Sequence, residues 1–390
     1  MQILALFNPD HDMAQANGSP HYMSPQSACK FANDGAFLLA WLSPEVYIWG
    51  ENVHTDEQFV SLCQQLQLDA SVISPQKIGT IDFDKIEVWG WNASVVNKLE
   101  RAGVSASLLP TDSQLMRWRE LSHRRQTIAA MKFLQDKAGP HFHPVEIPRE
   151  LQSLAEVNDF IDEHQQVILK MPWSGSGRGV RRIDGELNEH QLGWVQQAMC
   201  KYESVLGEKF YRVVQDFAME FSCEPSARFV GYSLFQTRNG VYQHNILMSD
   251  SEIEQLLTQW IPLEILTNIR GVLTDFINQE IVPFYQGNVG VDMFVYQEDD
   301  EYKWNPVVEF NLRNTMGLLA HRFYQKYVVL GQRGVMKMRY CAKKGELYRE
   351  HRQLQQKYPV IIQNHQIHQG YMSLVPIDEN SAYTVQVFIQ

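Results

Sequence analysis

The chain has 390 residues and 44% hydrophobic content, with 34 Lys and Arg against 45 Asp and Glu for a net charge of −11. That suits two or three folded domains, excludes a disordered chain, and offers no broad positive field for a nucleic-acid backbone. Five cysteines without a CxxC pair read as reduced cytosolic thiols, and the lack of a basic N-terminal region or a long apolar run predicts neither export nor a membrane span.

The first apolar run, 3–7 (ILALF), closes at Asn8-Pro9-Asp10 and reads as a buried strand. Similar runs at 46–49 and 87–89 alternate with helical stretches. Thr55-Asp56 can cap a helix over 57–68, and Asn92 or Ser94 can cap one that carries Val95, Val96, Leu99 and Ala102 and stops at Gly103. The alternation predicts an α/β lead-in domain over 1–112 with a mainly parallel sheet. A helix from Ser113 to about Lys137 follows, and its Arg117, Arg124 and Arg125 read as a solvated basic face. Gly139-Pro140 ends it, His141 and His143 read as loop residues, and a helix near 153–164 leads into a strand at 167–171. Beyond that point the pattern changes to alternating strands at 211–217, 228–238, 241–248, 289–296 and 307–312, with Asn239-Gly240 as a hairpin turn. Residues 252–284 and most of 316–358 look helical, and a last strand is predicted at 383–389.

Three groups of residues carry chemistry. Lys170 ends a strand, and Ser174, Gly175, Ser176, Gly177, Arg178 and Gly179 follow as a flexible loop rich in backbone N–H groups that can cradle phosphate oxygens. The loop fits neither GxxxxGK[S/T] nor GxGxxG, and a plain turn is the competing reading. Asp292, Glu309 and Asn311 sit inside apolar strands, where an unpartnered carboxylate is costly. They are salt-bridged structural residues, with Arg313 as partner, or hard oxygen ligands for Mg²⁺. Polar residues after the first strand, Asp10 and Asp12 among them, and the pair His244-Asn245 beyond the predicted hairpin are candidates for substrate contact, against plain surface roles.

In this order, Lys170 with its Gly/Ser loop, then VVQDF leading to Glu220, then GVD and VEFNLRNTMG, the motifs over roughly 115–330 resemble the ATP-grasp superfamily. The resemblance implies an α/β lead-in domain followed by an α+β two-lobed ATP-grasp fold, with a first lobe at 113–202, a second at 203–345 and a C-terminal extension at 346–390. It implies ATP between the lobes, with Lys170 and 174–179 on its phosphates, Gln215, Asp216 and Ala218 as the hinge at the adenine, and Glu220 at the ribose. Asp292, Glu309 and Asn311 would hold Mg²⁺, and Arg313 would face the reacting carboxyl group. The implied activity is ligation of a small-molecule carboxylate, activated as an acyl phosphate, to an amine or another nucleophile. A kinase on the same fold and a non-catalytic nucleotide-binding protein remain alternatives. The tail is a candidate for packing on the second lobe or for homodimer formation.

Overall fold

The computed structural model describes residues 1–43, 45–51, 53–138, 145–175, 179–238 and 241–390. The lead-in sheet is parallel, with β1 (Ile3–Leu6), β2 (Val46–Trp49), β3 (Ala70–Ile73) and β4 (Lys85–Val88) in the order β3-β2-β1-β4. Both faces of the central strand β1 are buried, which explains its uninterrupted apolar run. Asp56 and Asn92 cap the helices Glu57–Gln65 and Ala93–Arg101, each accepting a backbone N–H three residues on. β3 is a short, half-exposed edge strand beyond those the sequence indicated.

A second, four-stranded sheet holds β5 (Arg149–Leu151), β6 (Gln166–Lys170), β7 (Val180–Asp184) and β8 (Val205–Lys209) in the order β5-β8-β6-β7, antiparallel throughout. The third sheet has nine strands: β9 (Arg212–Cys223), β10 (Ala227–Arg238), β11 (Val241–Leu247), β12 (Asn288–Glu298), β13 (Glu301–Asn311), β14 (Gly334–Tyr340), β15 (Ile361–Gln363), β16 (Gln366–Ser373) and β17 (Tyr383–Ile389). Their order is β13-β12-β9-β10-β11-β14-β17-β16-β15. β10 and β11 pair antiparallel as the hairpin reading requires, while the turn itself, Asn239-Gly240, lies outside the described residues, as do His141, His143 and the Gly139-Pro140 helix stop.

Four expectations change. The helix expected over 113–137 is two helices, Asp112–Leu121 and Arg125–Lys137, broken where the Arg124 N–H turns to the Pro172 carbonyl. The stretch 252–284 likewise splits, at Ile261-Pro262, into Asp250–Leu257 and Leu263–Glu280, because proline cannot continue a helix interior. The stretch 316–358 contains β14 between the helices Met316–Tyr327 and Glu346–Lys357. Residues 346–390 are no separate extension, since β17 pairs with β14 and β16 inside the nine-stranded sheet.

The lead-in domain shares a core with the far half of the large sheet. Phe7, Trp41 and Val46 pack in one cluster with Phe323, Tyr327, Val385 and Val387, and the Trp41 indole donates to the Leu374 carbonyl at 2.7 Å. Asn314, just past β13, donates through its side chain to the Val88 carbonyl at the end of β4. These contacts seat the ends of the lead-in strands beside β12 and β13.

Candidate active site

The acidic residues owe their common direction to strand alternation. Phe217, Met219 and Phe221 of β9, and Val289, Val291 and Met293 of β12, enter the core beneath the sheet. Their neighbours Glu220, Gly290 and Asp292 therefore face the other way, as do Glu309 and Asn311 of β13 on either side of core residue Phe310. Register places Asp292 opposite both Ala218 and Glu309, and Gly290 opposite both Glu220 and Asn311. Four polar side chains thus share one patch.

Their partners are unequal. Glu309 accepts from Arg124, whose Nε lies 2.9 Å away and whose Nη2 also reaches it. Among the described residues Asp292 accepts only the Asn311 amide, at 3.1 Å, and Glu220 only the Thr315 hydroxyl, at 2.7 Å, leaving Glu220 Oε2 buried without a hydrogen bond. Among the described residues neither Asp292 nor Glu220 has a cation within ion-pair distance. Burial, and then the negative charges of Glu309 and Glu220, raise the Asp292 carboxyl well above the usual range. Burial pushes Glu220 up to about 7.

Arginines join this patch to the rest of the site. Arg313 forms a two-pronged pair with Asp12, Nε to Oδ1 at 2.9 Å and Nη2 to Oδ2 at 3.1 Å, and Nη2 also donates to the Asn311 carbonyl oxygen of the side chain. Asp12 belongs to α1 (His11–Asn17), which follows β1. Although burial works the other way, Arg313 holds Asp12 below the ordinary carboxylate range. Arg124 is almost fully buried, and besides Glu309 it donates to the Met171 carbonyl and to the hydroxyl and carbonyl of Ser174. It ties the loop to the acidic strands.

The loop approaches so closely that a side chain at either of two glycines would force its neighbour to move. A Cβ on Gly175 would lie 1.8 Å from Asp12 Oδ2, and one on Gly179 would lie 2.3 Å from Ser174. Ser176, Gly177 and Arg178 lie outside the described residues. Trp173 anchors the loop's start, with its indole N–H on the Arg119 carbonyl and the Arg119 guanidinium 3.9 Å from its ring centroid. Lys170, at the end of β6, is buried and pairs with Glu208 of β8 at 2.6 Å. Between loop, α1 and acidic strands the described residues leave a cavity of 30 Å³, so the groups are in mutual contact.

The placements amend several expectations. Arg124 is not on a solvated face: the helix break turns it inward, and it is the site residue that sequence reasoning passed over, its one signal being the Arg-Arg pair in an acidic protein. Gln215, Asp216 and Ala218 lie within β9, paired with β10 and β12, and form no hinge. The chain passes between the second and third sheets at Phe210-Tyr211, so the division between lobes falls there and not at 202–203. Asp12 reaches the site, whereas Asp10 accepts the Ser24 hydroxyl and lines a separate cavity. Asn245 is buried between Ser233 and Tyr242, a structural position, and His244 on the opposite face of β11 is not joined to the acidic patch.

A glycine loop from the small antiparallel sheet thus meets carboxylates and an amide of the large one, with Arg124 joining the two. Solved structures match over the whole chain. One is the biotin carboxylase domain dimer of the Hydrogenobacter thermophilus 2-oxoglutarate carboxylase, in complex with MgADP, ADP and bicarbonate, at 11% identity, TM-score 0.52 and 86% of that chain covered. Another is Campylobacter jejuni biotin carboxylase in a β-γ-ATP complex, at 12% identity, TM-score 0.52 and 87% of that chain covered. N5-carboxyaminoimidazole synthetase from Staphylococcus aureus, complexed with ADP, aligns at 13% identity and TM-score 0.48 over 93% of its chain. No protein-family model and no curated protein matches the sequence. The chain shares the fold of these two biotin carboxylase structures. No described helix is long and apolar enough to cross a membrane.

Proposed function

We propose that the protein is an ATP- and Mg²⁺-dependent ligase that activates a carboxylate as an acyl phosphate for displacement by an amine or another nucleophile. The observation that carries this is the charge imbalance on the acidic strands. Asp12, Glu220, Asp292 and Glu309 bring four carboxylates to a site where ion pairs from Arg124 and Arg313 reach only Glu309 and Asp12. A buried carboxylate costs several kcal/mol unless paired, about 3–5 when its partner is missing. The orphaned Glu220 oxygen and the raised Asp292 carboxyl fit a missing cation, and two carboxylates with an amide are the hard oxygen donors that suit Mg²⁺. Asp292, Glu309 and Asn311 would hold it, and bound Mg²⁺ supplies neutralisation of the nucleotide's phosphate charge.

Lys170, Arg124 and the backbone N–H groups of 174–179 bind and orient the phosphates, and the crossing at Phe210-Tyr211 takes the adenine-side role first assigned to 215–218. Arg313 receives the substrate carboxylate in the two-pronged geometry it now offers to Asp12. An oxygen of that carboxylate attacks the γ-phosphorus, and the bond to the bridging oxygen breaks with its electron pair leaving on ADP. The nucleophile then adds at the acyl carbon, phosphate departs, and the nucleophile gives up its proton. Because the cavity is small, nucleotide entry requires Arg124 to release Glu309 or the loop.

Calorimetry with Mg-ATP tests the reading: the wild type binds saturably, and Glu309→Ala with Asn311→Ala abolishes the Mg²⁺-dependent part. Labelled ATP separates the alternatives, because phosphate release that depends on an added carboxylate and amine supports a ligase and a stable phosphorylated product a kinase. No rise in melting temperature with Mg-ATP would overturn nucleotide binding altogether, since a ligand at 100 times its Kd adds about 2.7 kcal/mol.

A further inference from the structure

A second cavity, larger than the one between the lobes, lies in the lead-in domain. A cleft of 780 Å³ opens at the carboxyl ends of β1, β2 and β4 and is closed on its far side by residues 376–381. That volume falls in the ordinary range for small-molecule pockets, and the ends of parallel strands are where open α/β sheets bind ligands. Asp12 and the acidic strands do not line it, so the phosphate site does not account for it.

Most of its charged groups are already satisfied. Asp34 pairs with Lys30 at 2.7 Å and accepts the Ala382 and Tyr383 N–H groups. Asp378 accepts from Asn380 and Ser381, and Asp10 from Ser24. Two are left. Glu51 and Lys98 have no hydrogen-bond or ion-pair partner among the described residues, and the Lys98 ammonium rests over the Trp49 ring, 4.7 Å from its centroid. Burial lowers the Lys98 pKa, while Glu51, Cys29 and Asp10 act in the opposite direction from nearby. The cleft therefore presents one unpaired anion and one unpaired cation that are close enough to feel each other and do not touch.

We propose that this cleft is a binding site for a small zwitterion, an amino acid or dipeptide, whose ammonium meets Glu51 and whose carboxylate meets Lys98 against the Trp49 wall. Both side chains are exposed at the cleft rim, so a molecule carrying only one of the two charges would engage one group and leave the other to water, forfeiting one charge-assisted contact. The site stands apart from the nucleotide reading, and its occupancy needs neither ATP nor metal.

The test uses the full chain without nucleotide or metal, titrated with the common L-amino acids and diglycine, each beside its N-acetyl and carboxamide derivative, by calorimetry and ligand-observed NMR. Saturable binding of at least one free zwitterion is expected, with its blocked derivatives weakened. Glu51→Gln and Lys98→Gln should each weaken it about tenfold or more, the loss of one charge-assisted contact. Both side chains lie at the cleft rim, and an unchanged circular dichroism spectrum certifies the fold. Absence of saturable binding up to about 10 mM, a free energy near −3 kcal/mol, overturns the proposal. So does binding that both variants and the blocked derivatives retain. Asp292→Asn should leave this binding intact while removing Mg-ATP binding, so the two readings fail separately.

Discussion

Lys170 with Glu208 and Asp292 with Glu309 are both pairs of ionisable side chains on neighbouring strands, and they are built on opposite principles. In the first, one cation meets one anion at 2.6 Å and the two charges balance, although Glu208 Oε1 is not in hydrogen-bond geometry. In the second, like charges face each other across β12 and β13 beside Glu220, and among the described residues Arg124 pairs with Glu309 while no cation pairs with Asp292. A balanced pair needs nothing further to remain folded. An unbalanced one retains its acids only by holding protons or by taking up a cation, and that difference separates a positioning element from a ligand site.

The largest expected effect comes from breaking the unbalanced side. Asp292→Asn should lower Mg-ATP-dependent phosphate release by about 10³-fold, the upper range for removing one transition-state electrostatic group. It should also raise the melting temperature of the metal-free protein near pH 8, because an unpaired buried carboxylate is removed. The balanced side should respond in the reverse sense. Lys170→Met strands Glu208 and costs about 3–5 kcal/mol in denaturant melts, while Lys170→Met with Glu208→Leu recovers most of it, as replacement of a whole buried pair does. A double mutant no more stable than the single would show the pair is not balanced.

Next in size is Gly175→Ala, whose methyl collides with Asp12 and should cost about 1–3 kcal/mol in denaturant melts. The smallest effect is in pH dependence. Glu220 has a folded pKa near 7, above its unfolded value, so the folded state binds the extra proton between the two. Its contribution to stability is full at low pH and declines as pH rises towards about 7; Glu220→Gln should remove that slope from chemical melts. His11, held down to about 4 by burial, acts with the opposite sign, losing stability as pH falls from about 6.5 to about 4. The two overlap, so only the variant isolates Glu220.

The acidic patch was legible because a carboxylate inside an apolar run is improbable without a reason, and because a two-residue spacing fixes a common face. The order of lysine, loop and acids carried the fold. Arg124 was hidden because no glycine or proline marks the break at Ser122–Arg124; a tertiary hydrogen bond to Pro172 makes it. The crossing between sheets was misplaced for a similar reason. β8 and β9 run almost without interruption from 205 to 223, and Phe210-Tyr211 carries no turn signal. β14 escaped notice because its charged alternation resembles the amphipathic helices on either side. Asn245, a candidate for substrate contact beyond the hairpin, is enclosed by Ser233 and Tyr242.

The seven residues of α1 stand between two enclosures. Asp12 projects to Arg313 and the glycine loop, while Asp10 and Ala14 line the larger cleft behind. Arg119 holds the same helix from outside through the Gln15 carbonyl. A displacement of this short wall by an occupant on one side changes the space and the ion pair on the other. Thermodynamic linkage then requires equal reciprocal influence, so an occupant of the rear cleft that frees Arg313 from Asp12 strengthens carboxylate binding by the same factor with which the carboxylate strengthens its own.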